Sequence, residues 1–378
     1  MAGKEIRVVA GDRGGFAALE PPLLKALDAG CNVHVYVTGA CRDLLAAGKL
    51  ELDGRMKVSG GLGNLTSIHN FLSGKYDLLV AGASQSYEGT EAAFNAIMAA
   101  RSRVMAVQDL YGSLMPTLAM LREARGIGKL GCVCVSDEFA KAQILQKFSL
   151  GHCLVVTGGP QFDKTVEVNK TWRERRLSLR KALGVSEQQP VFLIAGGKNG
   201  TADILHLLEK AIESAGLAEV ARVILRVHSR ATEEDKRQTA EYFNSTKRKW
   251  FMDVDKSLAP TSDDLLPGVD FVLSGFSTTN YLAILYGIVG TVYVGTPVFQ
   301  KDLMEEKGLR RPPEVEIGAG WYVQDEAGLA KVIREVRMDG IYAQAVLDLA
   351  MKQTKIARSN DGKAGERVWQ EMQTLMGT

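Results

Sequence analysis

Aromatic residues make up only 7% of this 378-residue chain. No cluster of them marks a subunit interface, so a homodimer stays open. Cysteine is scarce too: Cys31, Cys41, Cys132, Cys134 and Cys153 are odd in number and irregular in spacing. Cys132 and Cys134 stand within one apolar run, and no second cluster completes a zinc set, so they read as buried thiols and no metal is expected. Charge is nearly balanced at a formal +2, which gives no electrostatic case for nucleic acid as the main partner. The short run Lys247-Arg248-Lys249-Trp250 reads as surface decoration. No apolar stretch is long enough to span a bilayer, and Lys4, Glu5 and Arg7 interrupt any signal-like run at the start. The expected location is the cytoplasm, with peripheral membrane contact left open. A G-x-G-x-x-G fingerprint is also missing, and the second strand ends at Val37-Thr38-Gly39 with no acid, which argues against a nicotinamide cofactor.

What is there is apolar material for two cores, at 46% hydrophobic and 24% charged residues. Apolar strand-like runs alternate with helical segments. Ile6–Ala10, Asn32–Thr38, Tyr76–Ala81, Val104–Val107, Gly131–Ser136 and Cys153–Thr157 read as strands. Phe16–Ala29, Gly89–Ala100 and Asp137–Lys147 read as helices, the first with Pro21 and Pro22 near its first turn and the last capped by Asp137. Gly158-Gly159-Pro160 ends this series. A charged helix, Trp172–Leu183, reads as a solvated face. A second series then begins, with strands at Val191, Ala221–Val227, Phe271–Leu273 and Gly290–Val294, and helices at Ala202–Ala215, Glu233–Phe243 and Asn280–Tyr286. The tail from Gly328 to Met376 is helical, interrupted near Ser359–Gly362. The fold class is therefore α/β, with two Rossmann-like domains facing across a cleft and the site at the carboxyl ends of both sheets.

The candidate residues follow the strands. Val272-Leu273-Ser274-Gly275-Phe276-Ser277-Thr278-Thr279-Asn280 is a strand that breaks at a glycine turn and enters a helix. Free amides and the positive helix end then face one point, a ready phosphate site. The turn Gly196-Gly197-Lys198-Asn199-Gly200 repeats the pattern, with Lys198 able to meet a phosphate. Together the two turns point to a diphosphate ligand, with a sugar nucleotide as the expectation. Gly11-Asp12-Arg13-Gly14-Gly15 follows the first strand; Asp12 is a candidate base, Arg13 a phosphate partner, and the glycines permit close backbone approach. Ser84 and Ser86 offer hydrogen bonds after the 76–81 strand, with Glu88 and Glu91 as a base or as acceptors of sugar hydroxyls, or Glu91 as a favourable first-turn charge. Asp109 follows the next strand as a second base, and His228 ends the strand 221–227, followed by Ser229 and Arg230.

These residues resemble the GT-B glycosyltransferases and the related UDP-GlcNAc 2-epimerases over nearly the whole chain. Gly11-Asp12-Arg13 resembles the epimerase Gly-x-Arg-Pro-Glu turn. Val156-Thr157-Gly158-Gly159-Pro160-Gln161-Phe162-Asp163 is similar to the TGNPxxD segment before the interdomain linker. Val227-His228-Ser229 resembles the cleft-histidine segment, Ser274-Gly275 the diphosphate turn, and Asn360–Arg367 the GDGxAxxR element that starts the C-terminal helix. The resemblance implies an acceptor-side domain at 1–163, a linker and helix at 164–188, a nucleotide-sugar domain at 189–350, and a C-terminal helix at 351–378 packing back on the first domain.

Two departures stand out. The epimerases place an acid where this chain has Ala83-Ser84, and their paired glutamates have no clear counterpart beyond a displaced Asp109. Many GT-B enzymes hold the ribose with a glutamate where Asn280-Tyr281 stands here. The leading expectation is a metal-independent glycosyltransferase of the hexosyltransferase class, of the kind used in polysaccharide biosynthesis. It would take a nucleotide diphosphate sugar such as a UDP-sugar as co-substrate, with no cofactor, and pass the sugar to a lipid-linked or other hydroxyl acceptor. His228, Lys198, Ser277 and Thr278 would stabilise the leaving diphosphate, and Asp12 or Asp109 would take the acceptor proton. An epimerase-like enzyme and a non-catalytic nucleotide-sugar binder are the alternatives.

Overall fold

The computed structural model describes residues 3–83, 86–228, 231–246, 250–307, 309–337 and 344–377. Ser84, Ser229, Arg230 and the basic run Lys247-Arg248-Lys249 lie outside them. The chain forms two compact units. The first is Met1–Val166 together with Ser359–Thr378, and the second is Glu167–Arg358.

Unit 1 holds seven strands: β1 Glu5–Ala10, β2 Asn32–Val37, β3 Lys57–Gly60, β4 Leu78–Gly82, β5 Arg103–Val107, β6 Leu130–Val135 and β7 Leu154–Val156. They lie in the order β3-β2-β1-β4-β5-β6-β7, with every pairing parallel. Unit 2 holds six: β8 Val191–Ala195, β9 Arg222–Arg226, β10 Phe251–Met252, β11 Phe271–Ser274, β12 Gly290–Val294 and β13 Trp321–Val323. Their order is β10-β9-β8-β11-β12-β13, again all parallel. Each sheet reverses its winding beside its first strand, between β1 and β4 in unit 1 and between β8 and β11 in unit 2. Open α/β sheets bind ligands at such a switch point, outside the carboxyl ends of the strands.

Alternation along the strands explains why both faces are covered. In β8, Phe192 and Ile194 enter one core with Ile204, Leu208 and Ile333, while Val191 and Leu193 enter another with Leu265 and Ala283. In unit 1, Ile6, Val8 and Ala10 of β1 meet the helix Arg13–Asp28 and the last helix, Ala364–Met376, through Leu19, Leu23, Val368, Trp369 and Met372. All five cysteines are free and buried. No described helix is long and apolar enough to cross a membrane.

The last helix is held on unit 1 by a clasp. The Asp163 carboxylate accepts from the amides of Ala364 (2.9 Å) and Gly365 (2.8 Å). Arg367 Nε donates to the Thr157 carbonyl at 2.7 Å, and the Gly159 amide donates to Asn360 Oδ1 at 3.1 Å. The segments Val156–Asp163 and Asn360–Arg367, distant in sequence, are therefore two halves of one fastening. The preceding helix, Gln344–Ser359, belongs almost wholly to unit 2.

Two local expectations change. The helix Arg13–Asp28 starts three residues before Phe16, because Asp12 caps it with its side chain on the Gly15 amide at 2.8 Å. Pro21 and Pro22 therefore fall mid-helix, where each removes a backbone donor. The last helix packs at that point, with Gly365 against Pro21. The charged helix, observed as Trp172–Ala182, is not wholly solvated. Arg180 is 1% exposed and donates to the carbonyls of Gly268, Ser186 and Gln189 and to Asp270. Arg176 reaches the carbonyls of Pro267 and Val269 and also Asp270.

Candidate functional site

At the switch point of unit 1, the turn after β1 brings two carboxylates to one place. A Cβ built on Gly14 would stand 2.5 Å from Asp109 Oδ2 and 3.7 Å from Asp12 Oδ1. Glycine at 14 leaves room for both. Asp109 follows β5, is 6% exposed, and accepts the Leu110 amide on its Oδ1 at 2.7 Å. Gln161 Nε2 donates to its backbone carbonyl. A Cβ on Gly15 would overlap the Ala83 carbonyl, so that glycine serves close packing of the β1 and β4 turns. Arg13 is exposed in the first helical turn.

Glu88 has a different role from the open acceptor expected of it. Its Oε1 accepts the Thr38 hydroxyl at 2.6 Å and Arg42 Nη1 at 3.1 Å. The Thr38 hydroxyl first, then the Gly39 amide and the Arg42 charge, hold its carboxyl below the usual range. Glu88 thus fastens the β2 turn, where Gly39 adopts φ +50°. Ser86 caps the helix Tyr87–Ala99 on the Gly89 amide at 3.2 Å.

Asp137, read from sequence as a cap, accepts the Ala140 amide at 2.8 Å and also the Tyr111 hydroxyl. Burial pushes its carboxyl up from the ordinary range. It follows β6 on the same sheet edge as Asp12 and Asp109.

In unit 2 the two glycine turns flank the switch point, one after β8 and one after β11. They are not equivalent. In the β8 turn, the first amide of the helix Thr201–Ser214 already donates to Asp235 Oδ1 at 2.8 Å, and the Lys198 carbonyl accepts the Thr232 amide. In the β11 turn, Ser277 caps the helix Thr278–Leu285 on the Thr279 amide at 3.2 Å. The amides of Phe276, Ser277 and Thr278 make no hydrogen bond with a described residue. Donors left open at a helix N-terminus are groups that favour an anion.

The remaining sequence candidates differ in their partners. Thr279 Oγ1 donates to Asp263 at 2.8 Å, and Asn280, fully buried, donates to the Val292 carbonyl at 3.0 Å. Ser274 Oγ and Asn280 Oδ1 are buried with no hydrogen-bond partner among the described residues. His228 follows β9, half-buried, with its carbonyl accepting from Ala231. Among the described residues no group of three or more His, Cys, Asp or Glu is placed to hold a metal ion.

Phe299, on the helix Pro297–Lys307, was not evident from sequence. Its ring lies on both turns. A Cβ on Gly275 would overlap the ring, one on Gly197 would stand 2.7 Å from it, and one on Gly200 3.3 Å. The glycines in these turns are therefore demanded by an aromatic neighbour, whatever else they serve. Gly275→Ala and Phe299→Ala are each expected to destabilise. Because they relieve one clash between them, the double variant loses less than the sum, by about 0.5–3 kcal/mol. Urea unfolding of the four proteins measures this coupling, and additive losses would mean the ring does not rest on Gly275.

No family model matches the chain, and no curated protein matches it by sequence. Solved structures do match. UDP-GlcNAc 2-epimerase from Neisseria meningitidis, bound to UDP-GlcNAc, aligns at TM-score 0.63 and 14% identity, covering 99% of this chain and 100% of that one. The UDP-GlcNAc 2-epimerase of Methanocaldococcus jannaschii aligns at TM-score 0.62 and 16% identity, covering 98% and 99%. The wall teichoic acid polymerase TagF aligns at TM-score 0.56 and 13% identity, covering 99% and 89%. The fold is thus the GT-B type shared by these enzymes.

Proposed function

We propose that this protein is an enzyme acting on a nucleoside diphosphate sugar, and that its reaction is epimerisation at a carbon of the sugar. The observation that carries the reading is the pair of carboxylates, Asp12 and Asp109, converging on Gly14. At C2 of the sugar, a base can remove the proton while the C1–O bond to the diphosphate breaks and a C1=C2 double bond forms; an acid then returns a proton to the other face of C2 as a diphosphate oxygen re-adds to C1. Two carboxyl groups around one point supply that chemistry. The full-length likeness to UDP-GlcNAc 2-epimerases supports a UDP-linked N-acetylhexosamine as the substrate class. Within unit 2, the unbonded amides of Phe276, Ser277 and Thr278 are the groups suited to a diphosphate, with Lys198 and His228 beside the neighbouring strand ends adding hydrogen bonds or charge.

Glycosyl transfer is the second reading. It is favoured by the likeness to TagF and by the lack of an acid in Ala83-Ser84-Gln85-Ser86. There one carboxylate would deprotonate an acceptor hydroxyl.

Incubation with UDP-GlcNAc in D2O, without acceptor, separates the readings. Epimerisation puts deuterium on C2 and yields the C2 epimer, with or without some free UDP. Transfer releases UDP only when an acceptor is added, and C2 keeps its proton. UDP should also raise the melting temperature by mass action. No turnover under either regime and no shift with UDP would overturn both.

A further inference from the structure

A cavity of about 520 Å³ opens in unit 1 on the face of β1, β2 and β3 that turns toward the helix Leu65–Phe71. That size suits a small ligand. Its floor holds Arg7 of β1, His34 of β2 and Ser59 of β3; its helix side holds Asn70, Phe71 and Ser73. These residues take no part in the site proposed above.

Arg7 is the unusual member. It makes no salt bridge with a described residue, and its Nε is buried without a hydrogen-bond partner. Its Nη1 faces His34 Nδ1, so that nitrogen must accept. His34 Nε2 therefore carries the proton and meets Ser59 Oγ at 2.7 Å. Burial first, then the charges of Arg7 and Lys57, lower the His34 pKa, which keeps the ring neutral. Glu5, two residues from Arg7 on the same face of β1, accepts from Asn32 Nδ2 at 2.6 Å. Among the described residues no Asp or Glu lines the cavity. The floor thus presents a guanidinium with no paired acid, which is costly in a partly buried place unless an anion meets it.

The rest of the lining adds two features. The Phe71 ring packs under the Arg7 guanidinium (5.3 Å to the ring centroid) and edge-on to His34 (5.0 Å). Phe71 is itself buried, so it fixes Arg7 and His34 from below, while the hydroxyl and amide side chains at Ser59, Asn70 and Ser73 match a hydroxylated ligand.

We propose that this cavity is a second ligand site, for a small hydroxylated anion of hexose phosphate size. Arg7 meets the anionic group, and Ser59 and Asn70 meet the hydroxyls.

Calorimetric titration of the full chain with glucose 6-phosphate, glucose and inorganic phosphate tests this. Glucose 6-phosphate is expected to bind more tightly than either part. Arg7→Met should weaken it about ten- to a hundredfold, the usual loss for a charge-assisted hydrogen bond. Asn70→Ala, at an exposed helix position, should weaken it several-fold with the fold intact by circular dichroism. Asp109→Asn should leave it unchanged, and saturating UDP should not displace it. Equal binding of glucose and glucose 6-phosphate, displacement by UDP, or affinity unaltered in both Arg7→Met and Asn70→Ala would overturn the proposal, as would no binding of any probe.

Discussion

Asp109→Asn is expected to lower turnover of the nucleotide sugar about 10²- to 10⁴-fold, the usual contribution of a positioned acid or base. The substitution is nearly isosteric. An asparagine oxygen can still accept the Leu110 amide that Asp109 takes at 2.7 Å, so the turn should hold. The loss should appear in kcat, with KM little changed, because the carboxylate works on the reacting proton. Asp12→Asn is the companion test. Asparagine is as good a helix cap as aspartate, so the bond to the Gly15 amide survives while the proton-accepting power goes. If the two act as one proton-handling unit, the double variant loses far less than the product of the single losses. Full turnover in both single variants would remove the pair from the mechanism.

Asp270→Ala should destabilise the protein by about 3–5 kcal/mol, the cost of leaving a buried charge without its partner. Arg180 has only 1% of its side chain exposed, and Asp270 is its closest acid, at 3.2 Å; Glu187 lies at 3.8 Å. Asp270 also accepts the Val191 amide at 2.8 Å and pairs with Arg176 at 2.7 Å. Removing it uncouples the helix Trp172–Ala182 from the first strand of unit 2. For a unit of this size, each kcal/mol lowers the melting temperature by about 2–4 °C. Arg180→Met should cost less, since it removes the buried charge itself and leaves Asp270 paired with Arg176. Equal melting temperatures for Asp270→Ala and the unmodified protein would mean that the carbonyls around Arg180 suffice.

The interior strands were legible because they are short apolar runs buried on both faces. Val191-Phe192-Leu193-Ile194-Ala195 reads as a strand with no knowledge of its partners. The edge strands were not. Lys57-Val58-Ser59-Gly60 has a single apolar side chain, and Phe251–Met252 is only two residues long. Pairing with a neighbour, and not their own pattern, makes them strands. The same limit applies to the candidate site. Glycine turns after apolar strands located Asp12, Asp109 and Ser274–Thr279. What each residue does there depends on distant ones. Glu88 is tied to Thr38, and Phe299 meets Gly197 and Gly275, with no local pattern to announce either. The charged helix misled because i, i+4 arginines look solvated, yet Arg176 and Arg180 point their donors at backbone carbonyls.

The clasp between Asp163 and the amides of Ala364 and Gly365 also sets an order of events at the ribosome. The polypeptide leaves unit 1 after Val166 and re-enters it at Ser359, so unit 2 is an insertion within unit 1. Synthesis delivers the seven strands of unit 1 first, but Val368, Trp369, Met372 and Met376 complete their core last. Until then the face of β1 beside Arg13–Asp28 is uncovered apolar surface, open to wrong partners. Unit 2 is continuous in the chain and can close while unit 1 still waits. The part of unit 1 made before unit 2 therefore stays open longest, and a chain that stops before Ala364–Met376 lacks the helix that covers this face.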